Sequence, residues 1–340
     1  MTTIQQATET VKAGQDLGMA EMTELIGLVM EGECAEGDIV DLLVALHEKG
    51  EAVEEVAGAA IAMRSKMVKI RCPHERFIDV VGTGGDGSST FNISTASALV
   101  AAAAGVPVAK HGNRGFTSKS GSADVLATLG VNIEASVSTI EACLKELGLC
   151  FCFAPLMHGA MKHVGPARRR ISTPTIFNIL GPLANPAEAP FQLLGVGRAH
   201  QQQLLAEAVL RLPTQRVAVV HGTDGLDEVT LAAPTRVIEA VKGELRETEW
   251  TPADFGLPTR ERDAMIVDSP EASAAIIRDI LDGEAGPCRD IVVANAAAAV
   301  WTVLTDKGVS LKECAARVAD AIDSGDAKRL LQRLAECSQG

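Results

Sequence analysis

The sequence has no tyrosine among its 340 residues, and aromatic residues make up only 3% of it. A core with so few rings must be built mainly from Ala, Val, Leu and Ile, and the 47% hydrophobic content is sufficient for that. The eight cysteines form no Cys-x-x-Cys pair and have no matching histidine spacing. A structural zinc site is therefore disfavoured, and reduced, buried thiols are expected.

Two further absences concern membranes. The first residues lack the basic and apolar regions of a secretory signal. The longest apolar stretches, 98–109 and 291–304, are predicted to be too short or too interrupted to span a bilayer. We therefore expect a cytoplasmic protein with no membrane partner.

Basic residues are in the minority, with 31 Lys and Arg against 44 Asp and Glu, for a net charge of -13. Such a charge repels phosphate backbones and predicts no nucleic-acid partner, although it is compatible with a local basic pocket for one small anion. The length exceeds that of a usual single domain, so we expect two structural units, or one large unit with a smaller partner.

The order of elements changes near residue 70. Before it, apolar residues recur at helical spacing over Met19–Met30, Asp38–His47 and Ala52–Met67. After it, strands and helices alternate, which predicts an α/β fold with a mainly parallel sheet flanked by helices. The predicted strands are Phe77–Val81, Val106–Ala109, Cys150–Phe153, Leu193–Val196 and Val217–Val220. The predicted helices are Ile93–Ala104, Ala123–Leu129, Ser138–Leu147, Ile291–Leu304, Leu311–Ile322 and Ala327–Cys337.

A glycine-rich loop, 82–86, lies between a predicted strand and a predicted helix. Backbone amides and the positive end of a helix dipole make this a favourable place for phosphate. Asn92, Ser94 and Thr95 open the helix, where such residues often cap free amides instead. The loop matches neither the dinucleotide pattern nor the P-loop pattern.

Three other segments carry polar residues suited to binding. The loop from Lys110 to Ser122 collects cations and hydroxyls after a strand, where ligands often bind, although such a run is also typical of a solvated loop. Asp227 and Glu228 offer two hard oxygen ligands of the kind Mg²⁺ uses with substrate phosphates, although an acidic pair is more often an exposed turn. Residues 158–170 carry a basic cluster, which is most often a solvated helical face, although an arginine that faces the cleft could bind a carboxylate through two hydrogen bonds.

With these motifs in their order and spacing, the chain resembles the anthranilate phosphoribosyltransferases along nearly its whole length. The resemblance implies a small helical domain, 1–72, to which about 165–186 returns, and a larger α/β domain, 73–164 and 187–340. It also implies an active site between the domains and a homodimer formed through the helical part. The activity implied is transfer of the phosphoribosyl group of phosphoribosyl pyrophosphate to the amine of anthranilate.

The resemblance also implies site residues. Those expected to contact phosphoribosyl pyrophosphate are Gly82, Gly85, Asp86, Thr90, Asn92, Ile93, Ser94, Thr95, Lys110, His111, Gly112, Asn113, Arg114, Ser118 and Ser122. Those expected to contact anthranilate are Gly82, Asn113, His158, Arg168 and Gly181, with His111 and Arg168 as positioning candidates. Those expected to hold Mg²⁺, as two ions, are Ser94, Asp227 and Glu228.

Phe116, Gly159 and Ala184 depart from the family's pattern, which bears on loop flexibility and on the path of the acceptor. Two alternatives stay open. A pyrimidine nucleoside phosphorylase shares the architecture but uses free phosphate, and a non-catalytic homologue would bind nucleic acid on a basic surface. The net charge and the Asp227–Glu228 pair argue against the latter.

Overall fold

Four helices open the chain and pack beside a seven-stranded sheet, as seen in a computed structural model that describes residues 1–115 and 120–340. Their bounds are α1 Thr3–Lys12, α2 Met19–Glu31, α3 Glu36–Lys49 and α4 Val53–Lys66. In α2 the buried residues Met22, Leu25 and Val29 recur at the predicted spacing. The helix ends at Gly32, whose φ of 81° suits glycine.

The sheet has the strand order β3-β2-β1-β4-β5-β6-β7. The first five strands in this order are parallel to one another, and β6 and β7 continue the sheet in antiparallel pairing. Strand bounds are β1 Ile78–Gly82, β2 Val108–Gly112, β3 Leu149–Phe153, β4 Phe191–Gly195, β5 Arg216–Gly222, β6 Thr235–Val241 and β7 Glu244–Trp250.

The remaining helices follow the strands along the chain. Their bounds are α5 Ile93–Ala103, α6 Ser122–Thr128, α7 Val137–Leu147, α8 Ala154–Met157, α9 Gly165–Arg169, α10 Phe177–Leu180, α11 Ala199–Val209, α12 Pro270–Leu281, α13 Pro287–Leu304, α14 Leu311–Asp323 and α15 Asp326–Cys337. Short 3-10 helices lie at Gly159–His163, Gly181–Leu183, Pro252–Phe255, Asp263–Met265 and Thr305–Lys307.

Alternate side chains of the strands enter two different cores. Leu193 of β4 packs with α5 and α13, whereas Leu194 packs with the N-terminal helices and α11. Residues of the segment 164–184 belong to the second core, where they pack with the N-terminal helices. The domain limits expected from the sequence stay a prediction.

The apolar segment near residue 291 is longer than the sequence indicated. With the 3-10 turn that follows α13 it spans Pro287–Lys307, which by length and composition alone could cross a membrane. In the fold, α13 lies in the first core against α5 and α14. Of an 18-residue apolar stretch within this segment, 67% is buried. The expectation that this stretch is too short was therefore wrong about its length.

The predicted fold class is confirmed: a helical N-terminal part and a mainly parallel sheet flanked by helices. The sequence analysis did not specify α1, α11 or the β6–β7 hairpin. All eight cysteines are free thiols; Cys143, Cys150, Cys152 and Cys314 are buried as expected, and the other four are half-buried.

Candidate active site

The connection from β1 to α5 contains the glycine loop and curves because Gly84, Gly85 and the following Gly87 have φ between 65° and 76°. Asn92 lies at the N-cap of α5 but makes no capping hydrogen bond. Instead its Oδ1 accepts a hydrogen bond from Thr95 Oγ1 at 2.8 Å. The capping role considered for Asn92 is therefore wrong.

Asp227 packs closely against the glycine loop because two neighbouring glycines leave room for it. Gly82 and Gly195 are neighbours in the β1–β4 register. A Cβ atom on Gly195 would lie 1.7 Å from the Asp227 carbonyl oxygen, and one on Gly82 would lie 2.7 Å from Asp227 Oδ2. With both positions empty, Asp227 Oδ2 accepts a hydrogen bond from the Gly84 amide at 3.0 Å. Only glycine fits at Gly195 without movement of the backbone.

Three carboxyl groups meet at this point, from Asp86, Asp227 and Glu228. Burial, and then the neighbouring Asp86, raise the pKa of Asp227 to about 7. Burial and the charge of Asp227 raise the pKa of Glu228 well above its ordinary range, while Lys110 acts in the opposite direction. Asp86 Oδ2 is inaccessible to water and has no hydrogen-bond partner among the described residues. Lys110 therefore offsets only part of the negative charge of this group.

Lys110 is the cation that acts on these acids, and it is only 3% exposed. Its Nζ donates hydrogen bonds to the Val80 carbonyl at 2.6 Å and to Ser94 Oγ at 3.2 Å. Burial lowers the pKa of Lys110, whereas Asp79 and Glu228 act to raise it. The ammonium group thus links β1, β2 and the first turn of α5.

The loop after β2 contributes a second polar wall. Ser122 Oγ donates to the Asn113 carbonyl at 3.3 Å, and Asn113 Oδ1 accepts from the Arg114 amide at 2.8 Å. The guanidinium of Arg114 is paired with Asp124 at 2.9 Å. Arg114 therefore lines the site while its charge is already partly compensated.

These walls enclose a cleft of about 290 Å³ at the carboxyl ends of the parallel strands. The sequence-predicted residues that line it are Gly82, Gly85, Asp86, Thr90, Asn92, Ile93, Ser94, Lys110, His111, Gly112, Asn113, Arg114, Ser122, Asp227 and Glu228. Thr95, His158, Arg168 and Gly181 do not line it. Ser118 and Phe116 lie outside the described residues.

His111 and His158 form a buried pair next to the cleft. His111 Nδ1 lies 3.1 Å from the Gly181 carbonyl oxygen, so Nδ1 must carry the proton and donate. His111 Nε2 lies 3.2 Å from His158 Nε2, and a neutral His111 accepts there, so His158 donates. Burial lowers the pKa of His111 to about 3 and that of His158 to about 4. Both rings are neutral near pH 7.

Arg168 lies on α9, and its guanidinium carbon is 5.9 Å from the centre of the Phe177 ring. Burial lowers the pKa of Arg168. Over residues 1–115 and 120–340 its side chain makes no hydrogen bond and no ion pair. Phe177 belongs to α10, which leads directly into Gly181. The segment from α9 to Gly181 therefore carries both Arg168 and the carbonyl group that His111 contacts.

Sequence reasoning missed Gly197, which packs against the glycine loop beside the cleft. Gly197 donates its amide hydrogen to Thr83 Oγ1 at 3.1 Å, and a Cβ there would lie 2.9 Å from the Gly84 carbonyl oxygen. The signal was present, because Gly197 directly follows the predicted strand Leu193–Val196. Of the departures from the family's pattern, Gly159 faces open space and Ala184 is fully buried in the second core.

Two family models match the chain. One is described as a glycosyl transferase family helical bundle domain and covers residues 5–67. The other is described as a glycosyl transferase family a/b domain and covers residues 74–328.

Similar proteins cover nearly the whole chain. The anthranilate phosphoribosyltransferase of Rhodospirillum rubrum is 50% identical over 95% of this chain and 92% of its own. A crystal structure of the Thermus thermophilus enzyme superposes with a TM-score of 0.92, at 40% identity over 98% and 99% of the two chains. The Saccharomyces cerevisiae enzyme in complex with phosphoribosyl pyrophosphate and Mg gives 0.90, at 27% identity over 99% and 98%.

A second structure of the Saccharomyces cerevisiae enzyme, in complex with 4-fluoroanthranilate, superposes with a TM-score of 0.88 at 26% identity over 99% and 98% of the chains. These relatives thus cover nearly the whole length of this chain, and the solved structures share its fold. The chain belongs to the glycosyl transferase family with helical bundle and a/b domains, and within it to the anthranilate phosphoribosyltransferases.

Proposed function

We propose that the protein transfers the phosphoribosyl group of 5-phosphoribosyl 1-pyrophosphate to the amine of anthranilate. The products are N-(5-phosphoribosyl)anthranilate and pyrophosphate, in the second step of tryptophan biosynthesis from chorismate. The observation that carries the proposal is a single cleft in which the glycine loop, the β2 loop and the Asp227–Glu228 pair face one another. The relatives' activity and the two yeast complexes support it.

The donor's pyrophosphate would bind at the glycine loop and the N-terminus of α5. Glycines allow close approach of backbone amides, and the helix dipole favours negative charge there. Lys110, already bonded to Ser94, supplies the fixed positive charge. Asn113 and Ser122 on the opposite wall would contact the phosphoribosyl part.

Magnesium suits the acidic end of the cleft. Mg²⁺ keeps several waters and takes one or two carboxylates together with substrate phosphates. Asp227 and Glu228 are adjacent, partly buried and short of positive charge, and Ser94 Oγ lies on the opposing helix turn. We propose that these three residues hold two ions. Bound Mg²⁺ would neutralise the leaving pyrophosphate.

Anthranilate would bind between the cleft and the α9–α10 connection. The half-buried guanidinium of Arg168 makes no ion pair with any described residue, so it is suited to a carboxylate through two parallel hydrogen bonds. Gly82, Asn113, His158 and Gly181 would line its path. The neutral His111–His158 pair presents no charge to an uncharged aromatic amine.

The chemistry follows from these positions. As the anomeric C–O bond breaks, positive charge develops on the ribose and negative charge on pyrophosphate. The amine of anthranilate attacks the anomeric carbon and then loses a proton. An aniline is uncharged near pH 7, so no strong base is needed before attack. Holding both reactants in attack geometry can lower a barrier by about 7–11 kcal/mol in favourable cases.

A fluorescence assay tests the activity. Anthranilate consumption is followed with phosphoribosyl pyrophosphate and Mg²⁺ present, and each is then omitted in turn. Loss of the signal change on either omission is expected. Phosphorolysis of thymidine or uridine by free phosphate would support a nucleoside phosphorylase instead, and retention on heparin at moderate salt would support a nucleic-acid-binding homologue.

The assembly is part of the same proposal. We propose a homodimer formed through the helical domain, 1–72 with 165–186, in the cytoplasm. Light scattering during size-exclusion chromatography should give twice the 35.5 kDa chain mass. A monomeric mass at micromolar concentration would contradict the dimer.

A further inference from the structure

A second cavity lies at the opposite edge of the sheet from the donor cleft. It measures about 360 Å³ and sits where β4 and β5 begin and β6 ends. Arg216, Lys242, Arg76 and Asp306 supply its charged groups, and Phe191 supplies an aromatic surface. The proposed transfer reaction uses none of these residues.

Arg216 has unused hydrogen-bonding capacity there. Its side chain is only 13% exposed, and its Nε lies 3.6 Å from Glu239 Oε2, beyond hydrogen-bond distance. In the part of the chain that the structure describes, Nη1 and Nη2 make no hydrogen bond. Because Glu239 faces the Nε side, the two Nη groups are left as the donors available to an anion.

The other charges of the cavity leave it positive. Both Nη atoms of Arg76 contact Asp306, at 2.8 and 3.1 Å, so that carboxylate is already compensated. Lys242 is exposed in the β6–β7 turn and makes no ion pair among the described residues. One guanidinium, partly offset by Glu239 and Asp306, and one ammonium therefore face the cavity without a hydrogen-bonded acid.

The remaining surface is apolar. The Arg76 guanidinium lies 4.8 Å above the centre of the Phe191 ring, and Leu210 and Val241 continue this surface. We propose that the cavity binds a small organic anion with one carboxylate and an apolar body. The Nη groups of Arg216 form a two-donor fork that matches a carboxylate, and Lys242 adds a single further charge.

Tryptophan fluorescence gives a local test. The chain has two tryptophans, Trp250 and Trp301, and the centres of their rings are 5.3 Å apart. The Arg216 guanidinium lies 6.0 Å from the Trp301 ring centre. Hexanoate is the probe, with hexanol as its uncharged counterpart and inorganic phosphate as an anion without an apolar part. Hexanoate should give a saturable change in emission, and the other two should not.

Variants then test the assigned donors. Arg216→Gln should weaken hexanoate binding roughly tenfold and Arg216→Lys less, because one charge-assisted fork is lost or reduced. Lys242→Asn tolerates the positive φ of that turn and should weaken binding about twofold. Arg329→Gln, an exposed arginine on α15, is the matched control and should leave binding unchanged.

Several outcomes would overturn the proposal. They are no saturable response to hexanoate, equal binding of hexanol, saturation by phosphate alone, or unchanged binding in Arg216→Gln. If Arg216→Gln fails to fold by circular dichroism, unchanged binding in both Arg216→Lys and Lys242→Asn overturns it. None of these outcomes bears on the transfer reaction, which is assayed separately.

Discussion

The donor wall of the cleft is rich in charged side chains, whereas the histidine side is mostly neutral. The donor wall, formed by residues 82–86, Lys110, Asp227 and Glu228, concentrates partly buried charges held by backbone contacts. The histidine side, formed by His111, His158 and Gly181, joins neutral rings by hydrogen bonds and leads to Arg168, whose guanidinium has no ion pair in the part of the chain that the structure describes. The first suits a metal-bound polyanion, and the second suits an uncharged amine with one carboxylate.

The strongest test of the donor wall is Gly195→Ala. Its Cβ would lie 1.7 Å from the Asp227 carbonyl oxygen, so the backbone must shift. Overpacking of this kind costs about 1–3 kcal/mol or more, and displacing Asp227 should reduce kcat/KM about a hundredfold. Chemical denaturation and steady-state kinetics measure both effects.

Gly37→Ala is the control for that variant, because Gly37 is exposed in α3 with nothing near its Cβ position. It should gain up to about 1 kcal/mol of stability and keep its activity. Wild-type kinetics in Gly195→Ala would show that the close packing of Asp227 is not needed.

The metal site is tested by Asp227→Asn combined with Glu228→Gln. Removing both charges should raise the Mg²⁺ concentration for half-maximal activity by roughly tenfold or more. The exposed pair Glu261→Gln and Asp263→Asn is the matched control. An unchanged Mg²⁺ titration in the first variant would remove both residues from the metal site.

On the histidine side, Arg168→Ala should raise KM for anthranilate about tenfold while KM for the sugar donor changes less than about twofold. A carboxylate that loses a charge-assisted fork binds more weakly, but the donor wall is untouched. Arg169→Ala, an exposed neighbour on the same helix, should change neither KM. Equal effects of Arg168→Ala on both substrates would exclude the carboxylate role.

The last test concerns the pH dependence of stability. The pKa of His158 falls from 6.5 to about 4 on folding, so the unfolded chain binds the proton first as pH decreases. The stability is therefore complete above pH 6.5 and is lost as pH falls towards 4, by an amount of the order of 3 kcal/mol. His158→Gln should make this acid decline shallower in urea titrations between those pH values.

His200→Gln, an exposed histidine, should leave the slope of that decline unchanged. If His158→Gln has the wild-type slope, His158 does not titrate as its burial indicates. Burial of His111 lowers its pKa to about 3, so some acid decline should persist in the variant.

The sequence predicted the elements that carry strong local signals. The glycine loop, the start of α5 at Ile93 and the polar loop after β2 were all located by residue type and spacing. The β6–β7 hairpin was missed because β7 is mostly exposed and charged, so its pattern lacks buried alternation. Its turn, Lys242-Gly243, has positive φ at both residues and was a signal that could have been used.

Contacts between distant residues could not be predicted in the same way. The tautomers of His111 and His158 depend on the Gly181 carbonyl, which is 70 residues from His111. The fit of Asp227 against Gly195 depends on strand register, which only the folded sheet defines. Residue types in the sequence therefore located the donor wall, whereas the distances between its residues are set by tertiary packing.

The hydrogen bond from His111 to Gly181 also has a mechanical consequence. His111 lies near the end of β2, whereas Gly181 belongs to the segment that packs with the N-terminal helices. Asn185 repeats this link, because its Nδ2 donates to the Ala109 carbonyl at 2.8 Å. A hinge movement of the helices away from the sheet must carry these links along or break them, so the imidazole resonances of His111 would report whether the cleft opens.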